Sequence, residues 1–143
     1  MKRSDIADAV LVRMQTIQKT NGFLTDFGTN AEKDRTDMMD EESENFLIDI
    51  VAGAWESEDQ GHQVRRWMNI SVAFACVGDT AIELAQDALQ DIVKAIYTDT
   101  TWGGLAILTE ETGGAIDKDV SDQLFAWGEV DMRILYATIE GEI

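Results

Sequence analysis

Two glycine pairs, Gly103–Gly104 and Gly113–Gly114, punctuate the stretch "TDTTWGGLAILTEETGGAID". Glycine-rich loops are where a backbone can close around a phosphate. A P-loop requires GxxxxGK[ST] between a strand and a helix, and a dinucleotide fold requires GxGxxG there. Neither spacing occurs, and Glu110, Glu111, Asp117 and Asp119 surround the second pair where a lysine would be needed. Both pairs therefore read as turns that hinge a single strand between them.

The remaining candidates for chemistry are carboxylates, one histidine and one cysteine. Paired acids do general acid and base work or hold Mg²⁺, but 28 Asp and Glu residues select no particular couple. Asp49 sits opposite the core-facing phase of an apolar run, and Glu129, Asp131 and Arg133 occupy the polar phase of the last strand. A cross-strand ion pair with Arg65 or Arg66 accounts for these acids without catalysis. His62 lies in a polar turn with no second histidine beside it, and Cys76 falls in the apolar phase of a strand, as a buried structural thiol does. No enzyme, metal or cofactor is expected.

Composition bounds the rest. A chain of 143 residues with 45% hydrophobic content fits one α+β domain over 1–143. A formal net charge of -17 repels phosphate backbones and anionic lipid, which argues against a nucleic-acid groove or a membrane-surface role. The same charge makes copies repel one another, so an oligomer needs apolar contacts, salt or divalent cations. No apolar run reaches the length of a membrane span, and "MKRSDIADAV" turns acidic too soon for a signal peptide, so an intracellular soluble protein is expected. Proline is absent, which leaves the turns to Gly, Asn and Asp.

Residues 4–20 read as an amphipathic helix, with Ser4 as N-cap and Asn21–Gly22 as its stop. "FLTDFG" reads as a short strand, and the acidic stretch from Asn30 to Glu44 as a long loop. The segment "NFLIDIVAGAWESE" places Phe46, Ile48, Ile50, Ala52 and Ala54 on one strand face, and "ESEDQGHQ" reads as the turn after it. In "VRRWMNISVAFACVG" the residues Val64, Met68, Ile70, Val72, Phe74 and Cys76 alternate with polar neighbours. A second helix follows, with Thr80 and Glu83 as a capping box and Ile82, Ala85, Leu89, Ile92, Val93 and Ile96 facing the core, opposite Asp91. The last strand carries Leu124, Ala126, Val130, Met132, Ile134 and Tyr136 on its apolar face. The fold class is a single domain with a mainly antiparallel twisted sheet, an N-terminal helix and a central helix on one face.

Trp55, Trp67 and Trp127 occupy odd positions of strands whose even positions are apolar, so each points away from the helices. Large aromatic groups on a second sheet face ask for a cover, either a segment of the same chain or a protein partner. Trp102, beside the first glycine pair, reads as a loop anchor against a neighbour. The interface candidates are Trp55, Trp67, Trp102, Trp127, Arg65, Glu129 and Asp131. The loops from Glu32 to Glu44 and from Thr100 to Ala115 are expected to reach partners.

The order of elements, together with "DIVKAIYTDTTWGG" and the closing "RILYATIEGE", resembles the tail terminator, or tail completion, proteins of long-tailed bacteriophages. The resemblance covers nearly the whole chain. It implies a structural virion subunit that forms a hexameric ring on the tail tube protein, stops tube polymerisation and docks the head connector protein, with DNA passing through the lumen without specific binding. It also implies assembly in the host cytoplasm and residence at the head-proximal end of the tail. Another ring protein of the phage neck or tail, a metal-dependent hydrolase and a charge mimic of DNA are the competing readings.

Overall fold

A computed structural model describes residues 2–34, 46–60, 63–120 and 124–143. His62, most of the acidic loop and the side chains of Phe46 and Leu47 lie outside the described residues. Helix α1 spans Lys2–Gln15, and strand β1 covers Ala31–Lys33. Strands β2, Phe46–Gln60, and β3, Gln63–Val77, follow. Helix α2 spans Ala81–Ile96, and the chain continues with β4, Leu108–Asp119, and β5, Phe125–Ile139. The five strands lie in the order β1-β2-β3-β5-β4, and every neighbouring pair is antiparallel except β1 with β2.

The α+β architecture follows from the alternation. Met68, Ile70, Val72, Phe74 and Cys76 of β3 and Ala126, Val130, Met132, Ile134 and Tyr136 of β5 are buried on one face. Ile6, Val10 and Met14 of α1 and Ala85, Ala88, Ile92 and Ile96 of α2 cover that face. Burial of each large aliphatic side chain is worth about 2 kcal/mol, so this stripe on stripe contact fixes which side of the sheet the helices take. Both helices pack on the same side.

Several local expectations are corrected. Helix α1 begins at Lys2, so Ser4 lies inside it, and it ends at Gln15. A 3-10 turn at Lys19–Asn21 then closes on Gly22, whose φ of 88° supplies the left-handed stop. "FLTDFG" is no strand, because Phe27–Asn30 form a second 3-10 turn that buries Phe27 against the edge of the Phe74 ring. Thr80 precedes α2 without making a side-chain cap bond. Glu56–Gln60 continue β2 where a turn was expected.

The largest correction within α2 concerns Asp91, which is 1% exposed. Its carboxylate accepts hydrogen bonds from the amides of Leu24 and Thr25 at 2.9 and 2.8 Å and from the Thr25 hydroxyl at 2.6 Å. A buried carboxylate is tolerated because three donors satisfy it. Ile82, by contrast, is 37% exposed.

The glycine pairs do different jobs. Gly103 and Gly104 have φ of 73° and 89° and form a turn. The second pair lies inside β4, where the register slips between Glu111 and Gly113. One extra residue, Thr112, makes a β-bulge there. A Cβ on Gly114 would strike the Glu129 carbonyl oxygen, and one on Gly128 would strike that of Ala115 and the Phe74 ring. Glycine lets these backbones approach, so the two pairs do not hinge a mobile strand.

Candidate interaction surface

The side of the sheet away from the helices carries the odd-numbered residues of β3 and β5. Register places Trp67 beside Leu135, which in turn faces Leu108 of β4. Leu135 is 5% exposed although no helix lies over it, because neighbouring side chains shield it. Arg133 stacks its guanidinium 4.1 Å from the Trp67 ring centroid and pairs with Glu110 at 2.6 Å. Trp67 is thus held by Arg133 and half-buried.

Trp127 lies at the opposite end of this face, between Ala75 of β3 and Asp117 of β4. Its ring tilts against Phe125 with centroids 5.4 Å apart, and it remains 38% exposed. Small neighbours explain the exposure. Ala73, Ala115 and Gly128 leave a shallow cleft of about 340 Å³ beside it, closed at the rim by Asp117 and Glu129. Asp131 accepts a 2.7 Å hydrogen bond from Ser71, its register neighbour. Arg65 lies on the same face, opposite Glu58 and Ala137. The anticipated ion pair of Glu129 or Asp131 with Arg65 or Arg66 is absent among the described residues, since Arg65 sits several rows from both acids and Arg66 projects to the helix side.

Trp55 does not belong to this face. The β2 register slips between Ala52 and Trp55, where Gly53 and Ala54 oppose the single residue Asn69. This bulge shifts the phase, so Trp55 pairs with buried Met68 on the helix side. It lies beyond the cover of the helices, 47% exposed, with Arg66 5.0 Å from its ring centroid.

Trp102 is committed inside its own chain. It is 2% exposed, its indole N–H donates to the Thr109 hydroxyl at 2.7 Å, and that hydroxyl donates to the Thr100 carbonyl. Arg13 stacks 4.0 Å over the ring and donates at 2.6 Å to the Asp99 carbonyl just past the end of α2. Trp102 holds a left-handed backbone, φ 54°, which this packing sustains. Residues 108–115 of the anticipated loop are strand, leaving 100–107 as the turn.

Searched against models of protein families and against curated proteins, the chain matches none. Among the described residues, no group of three potential metal ligands converges, and no helix is long and apolar enough to cross a membrane. The Cys76 thiol is buried, donates to the Ala81 carbonyl at 3.1 Å and is pushed up to about 11 by burial. Sequence reasoning missed the two bulges and the cationic group beside Trp55. An isolated glycine within a strand pattern, Gly53, was the available signal for the first bulge.

Proposed function

We propose that the protein is a structural subunit that closes with copies of itself into a hexameric ring at the end of a bacteriophage tail tube. There it ends tube growth and offers the head connector protein a docking surface. The observation that carries the reading is the asymmetry of the sheet's two borders. Among the described residues, β1 pairs only with Ile48–Ile50, so the outer edge of β2 from Val51 onward has no strand beside it, and the outer edge of β4 has none along its length.

Exposed strand edges are templates for pairing with another chain. These two edges belong to different strands on opposite borders, so a contact between them runs head to tail and generates a cyclic assembly when the rotation per copy closes. The helix-free face, with Trp67 and Trp127 among Glu110, Asp117, Glu129 and Asp131, supplies aromatic anchors and negative charge. An acidic inner surface lets DNA slide without sticking. Six copies, the tube and the connector come from the resemblance in sequence pattern.

Native mass measured across salt, with and without Mg²⁺, tests the assembly, and electron microscopy of tubes polymerised with the protein tests the role. The expected result is a monomer at low salt, a discrete closed ring once charge is screened, and tubes of defined length with capped ends. A monomer at every salt together with unchanged tube length overturns the proposal.

A further inference from the structure

A chain with 28 acidic and 11 basic residues spreads most of its cations thinly, yet three gather where α1 begins. Arg3 and Arg66 flank the bulge of β2 on the helix side, and Lys2 lies beyond them beside the end of β5. Lys2 donates to the Ala137 carbonyl at 2.9 Å, and Arg66 donates to the Glu142 carbonyl at 2.7 Å and the Ser57 hydroxyl at 2.6 Å. Arg3 donates to the Gly53 carbonyl at the bulge itself. Among the described residues none of the three has a carboxylate partner. Arg3 also lies beside the fully buried Tyr136 hydroxyl, with its own Nη1 buried. Trp55 stands beside them, exposed, next to the open edge of β2.

The opposite border of the sheet has the complementary features. Between α2 and β4 lies a cleft of about 390 Å³ whose walls are Leu89, Val93, Ile116 and Val130, with Glu111 at the rim. The bulge at Thr112 creates it, because Gly113 and Gly114 bring no side chain to fill the space beside α2. Glu111 pairs in register with buried Met132, so it projects to the helix side, as Trp55 does. When the β4 edge of one copy lies along the β2 edge of another, helix side meets helix side. The indole, the cations, the cleft and the carboxylate then fall at one boundary.

We infer that Trp55 of one copy seats in the cleft between α2 and β4 of the next, where Arg66 of the first copy engages Glu111. The contact rests on the head-to-tail ring proposed above and names the residues that make it specific. An indole filling an apolar pocket, with an arginine desolvated beside it, is the composition of an interface hot spot. The pairing also offsets part of the repulsion between copies that each carry a formal charge of -17.

The test is the ring fraction of Trp55→Ala, Glu111→Arg and the charge-swapped double variant Arg66→Glu with Glu111→Arg, read by native mass at the salt where the unaltered chain assembles. Thermal unfolding of each monomer serves as the folding control. Each single variant is expected to lower the association constant by roughly a hundredfold, and the swapped double to regain most of it. Oxidation of a Trp55→Cys, Val93→Cys chain is expected to cross-link rings covalently, Cys76 being buried. Rings that form normally in either single variant, or that fail to cross-link, overturn this contact while the ring itself stands. Absence of rings from the unaltered chain at every salt, together with unchanged tube length, overturns both.

Discussion

Asp91, at the middle of the second helix, accepts a 2.6 Å hydrogen bond from the hydroxyl of Thr25, a residue 66 positions earlier in the chain. With the Leu24 and Thr25 amides, it ties the connection after α1 to the body of α2. Truncation as Asp91→Ala strands two backbone N–H groups and a hydroxyl, and a loss of about 3 kcal/mol is expected. Asp91→Asn keeps one acceptor and loses less, about 1 kcal/mol. Urea unfolding with an unchanged slope checks both.

Asp99 sets an acid limit on stability. Hydrogen bonds from the Thr101 hydroxyl, the Gly103 amide and the Thr101 amide, with Arg13 nearby, lower its carboxyl from the ordinary 3.8 to about 2. A depressed folded-state value means that the stabilisation is complete above the unfolded value and is lost as pH falls through the folded one. Unfolding midpoints measured from pH 5 down to pH 2 are expected to show this loss between about 4 and 2. Asp99→Asn should flatten that part of the curve relative to the unaltered chain.

Gly128 is expected to reject even a methyl group. A Cβ there meets the Ala115 carbonyl oxygen and the Phe74 ring, so β4 and β5 must separate or Phe74 must leave its place. Gly128→Ala should cost about 3 kcal/mol. Because the same glycine floors the cleft beside Trp127, the tryptophan emission of the folded variant should shift as well. Equal stability by denaturant titration would contradict this account.

Cys76 should be silent toward thiol reagents. Its sulfur is fully buried and its ionisation is pushed up to about 11, so the reactive thiolate is scarce at pH 8. Labelling with a disulfide reagent is expected only at the rate of global opening, and urea at the unfolding midpoint should release it. Fast labelling of the native protein would place the thiol near the surface.

The alternation of β3 and β5 was legible because each apolar residue there meets the same dry face, from Met68 to Cys76 and from Val130 to Tyr136. The apolar stripe of α2 was legible for the same reason. Trp55 was misread because strand phase is counted along one chain, whereas the bulge at Gly53 and Ala54 is defined against β3. Asp91 was misread as solvent-facing because a carboxylate's burial depends on the donors of Leu24 and Thr25, which lie far away in sequence. Trp102 was read as an outward anchor because its neighbours Gly103 and Gly104 mark a turn, and the partners that draw its indole inward, Thr109 and Arg13, come from two other elements. Of the surface candidates, Trp67, Trp127, Arg65, Glu129 and Asp131 lie on the helix-free face as strand phase predicted.

The strand that comes last in the chain sits inside the sheet, between β3 and β4. During synthesis, β2 and β3 can zip together as a local hairpin, but β3 must wait for residues 125–139 before its other side is paired. Until then β4 has nothing to join, and a 15-residue strand stands bare to any neighbouring chain. Closing the sheet thus waits on a pairing between segments far apart in the chain, and a chain released before β5 carries the sticky edge that the folded sheet hides.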